Sequence, residues 1–249
     1  MVTGLDEQNL LAAGMGSTGS ALRGVLGPDD AAGPVYAALA QGAQGLSGYV
    51  VFTISPGGTM SGRDGGEHRA RPQTMHVREL VWRNVDAYRS IWSWLARHDL
   101  VGTIAVHNAP EDDPAADIFL EPRMLHVSEE EGMWLRVIDV PAALQSRGYD
   151  VPGGLTLGVS GDTLTVENNG AWRLSVAADG NVVCSAEPGL TAVQCDIVLG
   201  MPGLAALFMG RRSATALALV GLAEGEPAAL RAADGLFATR TKPHCADHY

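Results

Sequence analysis

Trp134-Leu135-Arg136-Val137-Ile138-Asp139-Val140-Pro141-Ala142-Ala143-Leu144-Gln145-Ser146-Arg147-Gly148-Tyr149 is the stretch on which the organisation of this chain turns. Trp134–Ile138 is apolar and β-branched and predicts a strand. Asp139 then predicts a helix cap, with Pro141 in the first turn, where a missing N–H costs little. Gly148 sits where that helix should stop. Beyond it the pattern changes. Leu155–Val159, Thr163–Val166, Trp172–Ala177, Val182–Ser185 and Ala192–Leu199 read as five short strands. Gly-Asp, Asn-Asn-Gly and Asp-Gly turns separate them, the spacing of an antiparallel meander. Helices are expected at Leu204–Met209, Thr215–Ala223 and Ala228–Ala238.

On the other side of the stretch, Tyr49–Ile54 and Met75–Leu80 read as strands of a hairpin. The loop between them, Pro56 to Pro72, is long and rich in glycine. Asn84 is a plausible cap for a helix in which Val85, Tyr88, Ile91, Trp92 and Leu95 recur at helical spacing. Leu100–Val106 is the next strand, and Glu111-Asp112-Asp113-Pro114 leads into a short helical segment ending near Leu120. Both sides of a boundary near residue 139 are therefore α+β. Residues 1–34 are weakly patterned. Gly14-x-Gly16-x-x-Gly19 has the spacing of a dinucleotide fingerprint. Such a loop should follow a buried strand, and Asp6–Ala13 reads instead as a short helix or loose tail.

Composition excludes several classes. The 249 residues hold 17 basic and 28 acidic side chains, a formal net charge of −11, and 46% apolar residues, enough for one large core or two small ones. The longest apolar run, Ala214–Ala223, falls short of the roughly 18 residues of a membrane span. No basic stretch leads into an apolar one at the N-terminus. An acidic balance without basic runs argues against a general nucleic-acid binder. Cys184, Cys195 and Cys245 form neither a paired framework nor a zinc spacing, so a reduced, cytoplasmic setting is expected.

The densest metal-capable cluster is the tail His244-Cys245-Ala246-Asp247-His248-Tyr249. Neighbours on an extended chain point in opposite directions, so convergence on one ion needs a sharp turn; an exposed tail is the ordinary role. Asp112, Asp113 and Asp117 lack calcium-loop spacing and fit a solvated loop. Trp82, Tyr88, Trp92 and Trp94 lie within or beside one helix, where core or interface packing is the ordinary role. No Gly-x-Ser-x-Gly elbow, His-Glu-x-x-His pair, Walker loop or acetyl-CoA pyrophosphate loop (Arg/Gln-x-x-Gly-x-Gly/Ala) is present. No metal site is expected.

The stretch from Trp134 to Tyr149 resembles the Enhanced intracellular survival (Eis) family of N-acetyltransferases. His98-Asp99-Leu-Val, Asp113-Pro114 and Asp117-Ile-Phe-Leu-x-Pro122-Arg123 are similar to the family's central domain. Gly170-x-Trp172, Leu204-x-x-Leu207-Phe208-Met209-Gly210 and Leu236-Phe237-Ala238 are similar to its C-terminal domain, and Leu26-Gly-Pro28-Asp29-Asp30 with Tyr36 more faintly to the start of the central one. The resemblance implies a central GNAT-like domain, shortened between Gly45 and Tyr49, followed by a sterol-carrier-protein-like domain. The expected division is a loose tail over 1–19, the GNAT-like domain over 20–138 and the carrier-like domain over 139–249. It further implies that the family's N-terminal acetyl-CoA-binding GNAT domain is absent and that this chain binds no cofactor. Acetyl-CoA would enter only with a GNAT domain supplied by a partner. Family members acetylate amines, including those of aminoglycosides and lysine side chains, and assemble as hexamers. Homo-oligomerisation or a separate GNAT subunit are thus the expected partnerships. By the same resemblance Tyr249 offers its terminal carboxylate as base, and Glu131 and His248 help hold a cationic substrate. The chain alone is expected to be inactive. A second reading is a carrier of a small apolar ligand, with Leu204, Leu207, Phe208, Leu217, Leu222, Leu236 and Phe237 as candidate walls.

Overall fold

Five strands of the first half share one sheet because their backbones pair edge to edge, although only three of them announce themselves by composition. The computed structural model describes residues 2–6, 34–43, 45–57, 59–60, 69–70, 72–130 and 132–245. One unit comprises the described residues of Met1–Ala109 together with Cys245, and the other Pro110–His244. In the first, β1 (Val2–Asp6), β2 (Val35–Gly42), β3 (Gly45–Ser55), β6 (Gln73–Trp82) and β7 (Val101–Val106) lie in the order β1-β2-β3-β6-β7. The expected hairpin of β3 and β6 is present, and within its long loop β4 (Thr59–Met60) pairs β5 (Arg69–Ala70). Arg78 is an extra residue in β6: Val51 pairs Glu79 while Phe52 pairs Val77.

Pairs from β1 to β6 are antiparallel and β6–β7 is parallel. A parallel pair needs a crossover, supplied by α1 (Val85–Leu95). The Asn84 side chain accepts a hydrogen bond from the Ala87 amide at 2.9 Å, the cap expected from sequence. α1 buries Ala87, Ile91 and Leu95 against Ala38, Val50, Phe52, Met75 and Val77. Trp92 and Trp94 pack against the same cluster, so both serve the core. Half of β2 is alanine and leucine, which carry no β signal. β1 occupies part of the tail expected to be loose, and its Asp6 is a strand residue where a helix was expected to begin. The Gly14–Gly19 spacing lies outside the described residues.

The second unit holds β8 (Gly153–Val159), β9 (Gly170–Val176), β10 (Val182–Ala186), β11 (Ile197–Leu199) and β12 (Ala223–Gly225), ordered β10-β9-β8-β11-β12. A pure antiparallel meander was expected. Instead β11 runs parallel to β8, because the chain crosses over after β10. The capping box of Thr191 and Gln194 winds the first part of the expected Ala192–Leu199 strand into a 3₁₀ turn. Asp196 then accepts from the Thr156 amide and hydroxyl at 2.7 and 2.8 Å, fixing the turn into β11. Gly158 permits this crossing, since a Cβ there would lie 2.0 Å from the Ala192 carbonyl oxygen.

Helices α3 (Val140–Ser146), α4 (Met201–Phe208), α5 (Ala214–Leu219) and α6 (Pro227–Phe237) join this sheet in one core, centred on Leu144, Leu157, Leu174, Ile197, Leu204, Leu217 and Leu236. α2 (Ala115–Ile118) is the short segment expected after Pro114. Asp139 caps α3 by accepting from the Ala142 amide at 2.9 Å.

Trp134–Ile138 forms no strand. Trp134 is 84% exposed, and only Val137 of the five is buried. Its ties are side-chain ties: Arg136 donates to the Asp162 carboxylate, and the Asn168 amide reaches the Val137 carbonyl. Asp162 also accepts from the Leu164 and Thr165 amides at 3.0 and 2.9 Å. Those amides are thereby withdrawn from any ladder, and the strand expected at Thr163–Val166 gives way to a turn. These bonds, with the Arg211–Glu111 ion pair and the Lys242 amide on Asp112, tie 110–138 into the second unit. By its contacts the segment 110–138 thus groups with the second unit.

Arg147 closes the helical end. Its guanidinium donates to the Phe208 and Phe237 carbonyls, both at 2.8 Å, and lies over the Tyr149 and Phe237 rings. Burial pushes the Tyr149 phenol up to about 12, against the counteracting charge of Arg147.

Two outcomes test this packing. Arg147→Ala should lower unfolding free energy by about 3 kcal/mol in urea denaturation, because two helix-end carbonyls lose a charged donor. The Thr165 amide, aided by Asn168, the Leu164 amide and Arg136, holds the Asp162 carboxyl down at about 2 against the opposing effect of burial. A carboxyl with a lowered folded pKa stabilises fully above its unfolded value of about 3.9 and loses that contribution as pH falls. The Tm gap between wild type and Asp162→Asn should therefore narrow between pH 4 and pH 2; a constant gap contradicts the assignment.

Candidate active site at the end of the first sheet

Successive side chains of a strand point to opposite faces. Phe52, Ile54, Met75, Val77, Ile104 and Val106 pack in the cluster with α1. Thr53, Ser55, His76, Ala105 and His107 therefore fall on the other face. Register does the rest. His76 sits between Thr53 of β3 and Ala105 of β7. Ser55 and His107 each lie two residues on, diagonal to His76 and within reach of it.

The three side chains form a chain of hydrogen bonds. Ser55 Oγ is 2.8 Å from His76 Nε2, and His76 Nδ1 is 2.9 Å from His107 Nε2. The two imidazole planes are inclined by only 18°, so the ring nitrogens meet close to in-plane. Ser55 and His76 are half-buried and His107 is exposed. On the same face the Tyr49 hydroxyl donates to Glu79 at 2.8 Å. Burial, then the bond to Glu79 and its charge, raise the Tyr49 pKa, so it remains a protonated phenol.

The residue after His107 reaches the C-terminal segment: Asn108 Nδ2 donates to the Cys245 carbonyl at 2.7 Å. This bond fixes where the last described residue lies. Glu131, His248 and Tyr249, the sequence-derived substrate and catalytic candidates, lie outside the described residues. Asp113 serves as a cap, accepting from the Ala115 amide at 2.9 Å, and Asp112 accepts from the Lys242 amide at 2.8 Å. Among the described residues no group of three or more His, Cys, Asp or Glu could hold a metal ion. No helix among them is long and apolar enough to cross a membrane. Of the candidate wall residues, Leu204, Leu207, Leu217, Leu236 and Phe237 are buried in the core and Phe208 packs against it, while Leu222 is exposed.

Comparison with known proteins adds a family. Residues 22–137 match the acetyltransferase (GNAT) domain and residues 140–246 the sterol carrier protein domain. The chain carries the GNAT and sterol carrier domains of the Eis-like N-acetyltransferase family. An uncharacterised N-acetyltransferase of Streptomyces griseus is 32% identical over 184 residues, 73% of this chain and 42% of that protein. The N-acetyltransferase Eis of Mycobacterium tuberculosis is 28% identical over 165 residues, covering 66% and 39%. The crystal structure of Eis1 from Mycobacterium abscessus superposes with a TM-score of 0.69 at 26% identity, covering all of this chain and 62% of that one. The chain thus spans about two fifths of the length of these curated relatives. The GNAT match corrects one expectation: neither the absence of a GNAT domain nor a chain that binds no cofactor is supported.

Sequence reading missed Ser55, His76, His107 and Asn108. The signal was present but non-local, in the register of a hairpin whose two strands were both legible. Asn108→Ala should speed trimming of the C-terminal residues by carboxypeptidase, with Tm nearly unchanged, because one bond to Cys245 is lost. An unchanged trimming rate would show that this bond does not hold the segment.

Proposed function

We propose that this chain serves acetyl-CoA-dependent N-acetylation of an amine, the substrate class being an aminoglycoside or a lysine side chain. The observation that carries the reading is the Asn108–Cys245 hydrogen bond. It ties the segment leading to Tyr249 to the GNAT-like sheet, in a chain similar to Eis-like proteins along both domains. In this reading the Tyr249 carboxylate takes the amine proton. A terminal carboxylate has an ordinary pKa of about 3.5, so it acts as a base only when desolvated beside the amine. Glu131 and His248 help hold the cationic substrate, and a net charge of −11 draws polycations toward the surface. The reaction is assigned to the reducing cytoplasm, which suits three cysteines without a paired framework.

The turn into α1 does not fit a pyrophosphate. A helix N-terminus holds phosphates through free amides and a close glycine approach. Here Trp82-Arg83-Asn84-Val85-Asp86 has no glycine, Asn84 occupies the Ala87 amide, and Asp86 adds negative charge to the first turn. No step of this reading passes through acetyl-CoA at that turn. We therefore expect the chain alone to release no thiol from acetyl-CoA in the presence of kanamycin, and turnover to appear when a separate GNAT subunit is added. Removing Tyr249 should abolish the reconstituted turnover. Turnover by the chain alone would sink the inactivity, and turnover without Tyr249 would sink its role.

A further inference from the structure

We propose that Ser55 is a nucleophile for small acyl esters, with His76 as its base and His107 as the positioning residue that orients His76. A neutral imidazole has one N–H and one bare nitrogen, so the two bonds at His76 must run in the same sense. In the sense that starts at the serine, Ser55 Oγ–H donates to His76 Nε2 at 2.8 Å. His76 Nδ1–H then donates to His107 Nε2 at 2.9 Å. This is the nucleophile–base–orienter order that activates a hydroxyl, with an imidazole in the third place instead of a carboxylate. Ser55 and His76 come from β3 and β6, and His107 directly follows β7 with its amide still bonded to the Val77 carbonyl of β6, so the sheet holds the spacing. Ser55 is the last residue of β3 and half-buried, which leaves its oxygen within reach of a small substrate.

The step balances without a cofactor. Ser55 Oγ attacks the carbonyl carbon, its proton passes to His76 Nε2, and the carbon–oxygen bond to the alcohol breaks as His76 returns that proton to the departing oxygen. Water then attacks the acyl-serine, giving up a proton to His76. Carboxylic acid leaves and the serine is regenerated.

The test uses the full chain with p-nitrophenyl acetate and a fluorophosphonate probe. Wild type should release nitrophenol on the order of 100-fold faster than Ser55→Ala, and the probe should label the peptide containing Ser55. His107→Phe should reduce the rate on the order of 10-fold, whereas His107→Glu, which reaches as far and accepts the same N–H, should restore most of it. Circular dichroism verifies that each variant is folded. Equal rates for wild type and Ser55→Ala would assign the hydrolysis to bare imidazole and overturn the proposal, as would absence of label on Ser55. The readout uses neither acetyl-CoA nor an amine, so its failure is distinct from failure of the N-acetylation reading.

Discussion

The strands of the first sheet must send alternate side chains to opposite faces, and α1 claims one of those faces for apolar packing. Once Val50, Phe52, Met75, Val77, Ile104 and Val106 are committed to the helix, the residues between them have no choice of side. The polar groups of three strands are then concentrated on one surface by the packing demands of the other. The hydrogen bonds among Ser55, His76 and His107 depend on this sorting, as does the bond between Tyr49 and Glu79. The helix that enforces the sorting packs on the opposite face of the sheet.

The second unit shows a different economy. A single buried carboxylate, Asp162, gathers two loop amides, an asparagine and an arginine. A charge withdrawn from water needs several donors at once; here Leu164, Thr165 and Asn168 supply them locally, and Arg136 reaches in from 26 residues upstream. The cost of burying Asp162 is offset by what it joins. Arg136 and Val137 belong to the stretch that reads as a strand, and they find their places through side chains instead of a ladder.

Much of the architecture was legible because it rests on local chemistry. Asn84 and Asp139 are caps by residue type, the helical spacing of α1 is plain, and β3, β6, β7, β8, β9 and β10 carry branched or aromatic residues. What escaped was set by long-range terms. The middle of β2, Ala37-Ala38-Leu39-Ala40, becomes a strand only beside its neighbours, and β12 is three residues long. Trp134–Ile138 has the composition of a strand but no sheet edge to join. The crossing that makes β11 parallel rests on Gly158 meeting Ala192, a contact between residues 34 apart. The site was hidden for the same reason: no motif links positions 55, 76 and 107, and only register brings them together. The family resemblance named the kinds of domain, while its candidate residues Glu131, His248 and Tyr249 fall outside the described residues.

The extra residue at Arg78 sets the parity of β6. His76 and Glu79 are three positions apart, and in an uninterrupted strand an odd separation would put them on opposite faces. The bulge resets the count, so both look away from α1, while Met75 and Val77 before it and Leu80 after it all look toward it. One inserted residue thus allows a run with the wrong hydrophobic period to serve a two-sided sheet along its whole length. Were Arg78 instead paired into an uninterrupted ladder, inside and outside would be exchanged over one half of the strand, turning Glu79 toward the core and Leu80 toward the polar face.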